Sequence, residues 1–172
     1  MNKGYIQVYT GEGKCKTTAA LGLAVRAVGA GLRVYLGQFI KKGDYSEIRI
    51  LKERFPEVTV EQYGAGRFVR GKPSAEDRAV AAQGLAALRS ALHSGRYDVV
   101  IADEINGAVG AGLFPEDEVL SLMADKPEAV ELVLTGRGAG GKVCGRADLV
   151  TEMRCLKHYF NAGVQGRPGI ES

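Results

Sequence analysis

Gly11-Glu12-Gly13-Lys14-Cys15-Lys16-Thr17-Thr18 is the stretch on which the fold turns. It follows an apolar, β-rich segment, residues 4–10 (GYIQVYT), and opens the Ala- and Leu-rich run TTAALGLAVRAVGAG. That order predicts strand, loop and helix, the setting a phosphate-binding loop requires. Small residues let backbone N–H groups turn toward phosphates, and the helix N-terminus adds partial positive charge. Lys16 supplies a mobile ammonium, and the Thr17 hydroxyl is placed to hold Mg²⁺.

Working outward, Gly29 and Gly31 stop the helix, and residues 33–40 (RVYLGQFI) form a second apolar strand, completing a βαβ unit. A short helix is expected over 46–54 and an alternating strand over 58–63 (VTVEQY), followed by a Gly-rich loop. Ser74 with Asp77 three residues on reads as an N-cap for the longest helix, reaching Leu92. Residues 98–102 (DVVIA) run apolar into Asp103-Glu104, as a central strand covered on both faces does. Pro115 is expected at the first helical position of a helix ending near Asp125. Two further strands are expected at 131–135 (ELVLT) and 148–153 (DLVTEM), with a glycine-rich connection over 136–145. The alternation predicts an α/β protein with three layers, a mostly parallel sheet between helices, and ligands at the carboxyl ends of the strands. The 172 residues suit one domain, 1–172.

Composition narrows the function. With 23 Lys and Arg against 20 Asp and Glu, scattered and without a basic run, nucleic acid is not implied. The excess is placed at phosphate-facing loops: Lys14, Lys16, Arg67, Arg70 and Lys72. Three cysteines at wide spacing suggest neither a disulfide framework nor a metal pair, and no apolar stretch reaches membrane-spanning length, so a cytoplasmic protein is expected.

Two further motifs join the loop. Asp103 and Glu104 at a strand end resemble a Walker B element able to reach Mg²⁺ directly or through water, which makes Thr17, Asp103 and Glu104 the candidate metal ligands. Leu134-Thr135-Gly136-Arg137 ends another strand, where Arg137 is positioned to meet charge developing on a triphosphate.

The loop itself departs from GxxxxGK[ST]. It is one residue shorter from Gly11 to Lys16, and Cys15 stands where glycine is expected. A Cβ there either pushes the loop outward or forces Cys15 into an unfavourable backbone conformation, so restoring glycine is expected to tighten ATP.

TGEGKCKTTAALG, RVYLGQFIKKG, DVVIADEI, ELVLTGRG, ADLVTEM and KHYFNAGVQGRPGIE resemble, in order and across nearly the whole chain, the P-loop ATP:corrinoid adenosyltransferases of cobalamin synthesis and salvage. Their short loop reads GNGKGKTT. The resemblance implies attack of a Co(I) corrinoid on C5′ of ATP with release of triphosphate. Gly11 through Thr18 and Arg137 would bind nucleotide, Lys16 and Arg137 would offset charge on the leaving group, and Mg²⁺ or Mn²⁺ would assist. Tyr63, Phe68, Tyr159 and Phe160 are candidates to cover the corrin, Phe68 in the loop where some relatives carry tryptophan. A homodimer and a reduced flavoprotein as electron donor also follow from the resemblance. The alternatives are a non-catalytic ATP- or corrinoid-binding relative with a degenerate loop, and an ordinary P-loop ATPase or kinase.

Overall fold

A computed structural model describes residues 2–66 and 71–171. Arg67, Phe68 and Arg70 therefore lie outside the described residues. Six strands form one sheet: β1 (Ile6–Thr10), β2 (Val34–Phe39), β3 (Val58–Tyr63), β4 (Val99–Asp103), β5 (Glu131–Thr135) and β6 (Leu149–Glu152). Their order is β3-β2-β4-β5-β1-β6 and every pairing is parallel, so all six carboxyl ends share one edge.

Helices α1 (Lys16–Gly29) and α2 (Ser46–Arg54) cover one face; α3 (Ala75–His93), α4 (Ile105–Gly110), α5 (Glu116–Ala124) and α6 (Gly141–Arg146) belong to the other. Strand periodicity divides the core accordingly. Val34 and Leu36 of β2, Ile101 of β4 and Val133 of β5 pack with Ala20, Ala24, Ile48 and Leu51. Tyr35, Phe39, Val100, Leu132 and Leu134 pack with Leu85, Leu88, Ile105 and Leu122. Both faces of β2, β4 and β5 are buried throughout, which is why these strands read as largely apolar, with Gln38, Asp103, Glu131 and Thr135 their buried polar positions.

Local sequence sets the element ends. Gly31 takes φ 79, its N–H bonds Val28 O at 2.8 Å, and Leu32 N–H bonds Ala27 O at 3.0 Å, closing α1 in a Schellman arrangement. Ser74 and Asp77 form the complete capping box of α3. Pro115, expected inside α5, is instead its N-cap with extended backbone (φ −71, ψ 156), one residue before the first helical position. The connection expected over 136–145 carries the short helix α6, held by burial of Val143.

Candidate functional site

The carboxyl edge of the sheet opens into a cleft of about 790 Å³. Glu12 through Thr18, Lys41, Glu104 and Arg137 line it, together with α2 and the C-terminal residues His158, Gly169, Ile170 and Glu171. Gly11, Glu12, Gly13, Lys14 and Cys15 form the turn out of β1, and Lys16, Thr17 and Thr18 open α1. The glycines serve packing. Gly13 N–H donates to Met153 O at 2.6 Å, and a Cβ on Gly11 or Gly13 would stand 2.5 or 2.7 Å from that oxygen. The loop therefore leans directly on the chain leaving β6. Among the described residues no side chain caps α1, and no acidic residue occupies its first turn, so its N–H groups and positive dipole end remain available to an anion.

Cys15 adopts φ 90, ψ 3, the left-handed region that favours glycine. Of the two outcomes expected for a Cβ here, the fold takes the strained backbone, and the helix begins normally, with Ala19 N–H bonding Cys15 O at 2.8 Å. The strain is present without nucleotide, so its cost falls on folding, and the tighter ATP binding expected of a restored glycine does not follow from it. A left-handed non-glycine residue costs roughly 1–2 kcal/mol, partly offset by the roughly 0.5–1 kcal/mol of extra chain entropy that glycine loses. Cys15→Gly is accordingly expected to raise Tm by about 1–4 °C in scanning calorimetry. A lower Tm would mean that the thiol makes contacts outweighing the strain.

Lys16 is buried and turned inward, with Nζ donating to Gly11 O at 2.7 Å and Gly13 O at 2.6 Å. Burial pulls its pKa below the usual lysine value, with Glu104 opposing and Arg137 adding to the shift. Lys14 instead reaches the C-terminal tail: Ile170 O at 2.8 Å, Glu171 Oε1 at 3.0 Å and Tyr159 OH at 3.3 Å. Glu171 also bonds Tyr159 OH and Arg167, and its hydrogen bonds hold its carboxyl far below the usual range. The tail thereby forms a wall of the cleft.

Asp103 is fully buried at the end of β4. Its Oδ1 accepts from Thr17 Oγ1 at 2.9 Å and Thr135 Oγ1 at 2.7 Å; its Oδ2 accepts from Gln38 Nε2 at 2.9 Å. Gln38 is fixed in turn by Gln62 Nε2, which donates to its Oε1 at 2.9 Å. Glu104, at φ 60, points into the cleft while its N–H donates to Thr135 Oγ1 at 2.9 Å. Burial raises the Glu104 pKa, as does Asp103; Lys41, Lys16 and Arg137 pull the other way. Arg137 pairs with Glu12 at 3.4 Å on the open side of the cleft.

Of the aromatic candidates, Tyr63 belongs to β3, packs on Phe39 at 5.9 Å and bonds Tyr35 and Glu61. Those contacts make it a structural residue instead of a cover for the cleft. Tyr159 and Phe160 stand exposed on the 3₁₀ turn Tyr159–Ala162. His158 lines the cleft, its Nδ1 accepting from Phe160 N–H at 3.1 Å; His93 is exposed on the surface.

Gln38, Lys41 and Glu171 escaped the sequence reading as site residues. The signal for the first two was positional: they sit at the carboxyl end of a central parallel strand, where ligands bind in such sheets.

A family model described as ATP:corrinoid adenosyltransferase BtuR/CobO/CobP matches residues 2–172. The chain belongs to the ATP:corrinoid adenosyltransferase family. Its members are transferases, and the P-loop α/β architecture seen here is consistent with membership. Among curated relatives, the corrinoid adenosyltransferase of Escherichia coli K12 is 35% identical, matching 98% of this chain and 86% of its own length. That of Pseudomonas aeruginosa is 34% identical over 98% and 84%, respectively. The Salmonella typhimurium corrinoid adenosyltransferase CobA is 36% identical over 98% and 86%. A Nostoc protein, all2391, is 39% identical over 90% of this chain, and there the chain spans only 45% of the relative's length.

Proposed function

We propose that the chain, as one domain, transfers the 5′-deoxyadenosyl group of ATP to the Co(I) of a reduced corrinoid. Co(I) supplies the electron pair of the new Co–C5′ bond, the C5′–O bond breaks, and triphosphate leaves with the bonding pair, cobalt ending as Co(III). The observation that carries this reading is the convergence of Lys14, Lys16, Lys41 and Arg137 on a single cleft beside an uncapped helix N-terminus. Such a cluster suits a polyphosphate, and in this reading it offsets the charge that builds as triphosphate departs.

In this reading Lys16 leaves the carbonyls of Gly11 and Gly13 for phosphate oxygens, and Arg137 closes from Glu12 onto the same chain. Thr17, Asp103 and Glu104 fit Mg²⁺: one hydroxyl and two carboxylates lie together, and an ammonium, that of Lys41, already fits among their oxygens. Mg²⁺ uses few protein ligands beside phosphate and water, and there it would neutralise phosphate charge. Fully engaged Asp103 would act by orienting the Thr17 hydroxyl, with Glu104 the carboxylate open to the cleft. Tyr159, Phe160 and Phe68 are proposed to shield the corrin, a reduced flavoprotein to supply the electron, and a homodimer to be the working unit in the cytoplasm. No helix among the described residues is long and apolar enough to cross a membrane.

The test is spectroscopic. The chain mixed with ATP, Mg²⁺ and chemically reduced cobalamin is expected to yield a photolabile alkylcobalamin spectrum. Unchanged corrinoid under these conditions would favour a binding protein without activity.

A further inference from the structure

The turn after β2 is strained. Ile40 takes φ 65, a region β-branched side chains rarely enter. The next N–H, of Lys41, bonds back to Phe39 O at 2.6 Å, and the turn rests on Gly64, where a Cβ would collide with the carbonyls of Ile40 and Lys41. Backbone held this firmly in a sparsely populated region tends to mark functional sites.

What the turn directs is the Lys41 side chain. Its Nζ lies 3.2 Å from Thr17 Oγ1, 3.5 Å from Asp103 Oδ2 and 3.9 Å from Glu104 Oε1. One ammonium thus reaches Thr17 and Glu104, the oxygens left for a metal, as well as Asp103 behind them, and the Thr17 hydroxyl accepts from it while donating to Asp103. The contacts are long and none is a close ion pair, whereas Mg²⁺ binds oxygens at about 2.0–2.1 Å. The two cations cannot share these oxygens.

We infer that Lys41 is a tethered counter-ion at the metal position. It balances Asp103 and Glu104 and is displaced toward solvent by the divalent cation entering with nucleotide. Its charge compensates the buried Asp103, which would otherwise be costly, and its four-carbon stem gives the ammonium room to move once displaced. The inference rests on the nucleotide reading of the cleft.

Calorimetric titration of ATP, once with EDTA and once with excess Mg²⁺, tests it. The ratio of the metal-free Kd to the Mg²⁺ Kd measures how much the metal contributes. In Lys41→Met that ratio is expected to rise at least tenfold, because metal-free ATP loses a cation while Mg²⁺ loses a competitor; Lys41→Arg keeps the ratio close to wild type. A ratio within twofold of wild type in the Met variant, or an equal rise in the Arg variant, would overturn the inference and leave Lys41 a structural ion pair. If Lys41→Met melts well below wild type, Lys41→Gln provides the same comparison. Wild-type protein that fails to bind ATP in either buffer would instead overturn the nucleotide reading, and this inference with it.

Discussion

Lys16→Ala is expected to weaken ATP binding by about two orders of magnitude and to abolish adenosyl transfer. Charge-assisted hydrogen bonds contribute roughly 1.5–3 kcal/mol each, and at about 1.4 kcal/mol per decade one or two lost contacts give that factor. The structure adds a second consequence. Because Lys16 Nζ holds the carbonyls of Gly11 and Gly13, its loss also loosens the loop, so a Tm lower by a few degrees accompanies the loss of binding. Lys16→Arg should not rescue, since a planar guanidinium cannot occupy the same tight turn. Calorimetry with ATP and a melting curve on each variant check both parts. Wild-type affinity in Lys16→Ala would remove the lysine from the phosphate site.

Asp103→Ala is expected to be the most destabilising single change in the site. Buried Asp103 accepts from Thr17, Thr135 and Gln38, and Thr135 and Gln38 are themselves buried. Truncation leaves donors without acceptors at roughly 1–3 kcal/mol each; with partial rearrangement the total is about 3 kcal/mol, or a Tm lower by about 6–12 °C for a chain this size. Thr17 would lose its orienting partner, so Mg²⁺-dependent ATP binding should fall as well. The discriminating comparison is Thr135→Val, which removes one donor to the same carboxylate without emptying the site. It should lower Tm less and leave Mg²⁺ dependence largely intact. Equal Tm values for Asp103→Ala and wild type would mean the network contributes nothing to stability.

Much of the fold was legible because local and global signals agree. β3, β5 and α2 fall at the boundaries expected from periodicity, and Ser74 and Asp77 announced the start of α3. The short helices resisted. α4 is six residues with two glycines directly after Asp103-Glu104, and α6 also contains two glycines; only tertiary packing, through Ile105 and Val143, makes either helical. In the site, the loop and the acidic pair could be read because they are contiguous. The Asp103 network could not, since Gln38 and Thr135 come from strands 65 and 32 residues away. The contact of Lys14 with Glu171 spans 157 residues and depends on where the tail crosses the sheet edge. Cys15 was legible as an anomaly, and its positive φ gives the anomaly a physical form.

The central claim is that the cleft grips a triphosphate that leaves intact. Phosphorus NMR of the reaction of wild-type chain with ATP, Mg²⁺ and Co(I) corrinoid tests this most directly. The account predicts inorganic triphosphate in amounts equal to alkylated corrinoid, with no ADP. ADP and inorganic phosphate, formed with or without corrinoid, would contradict it and identify the loop as that of an ordinary nucleotide hydrolase.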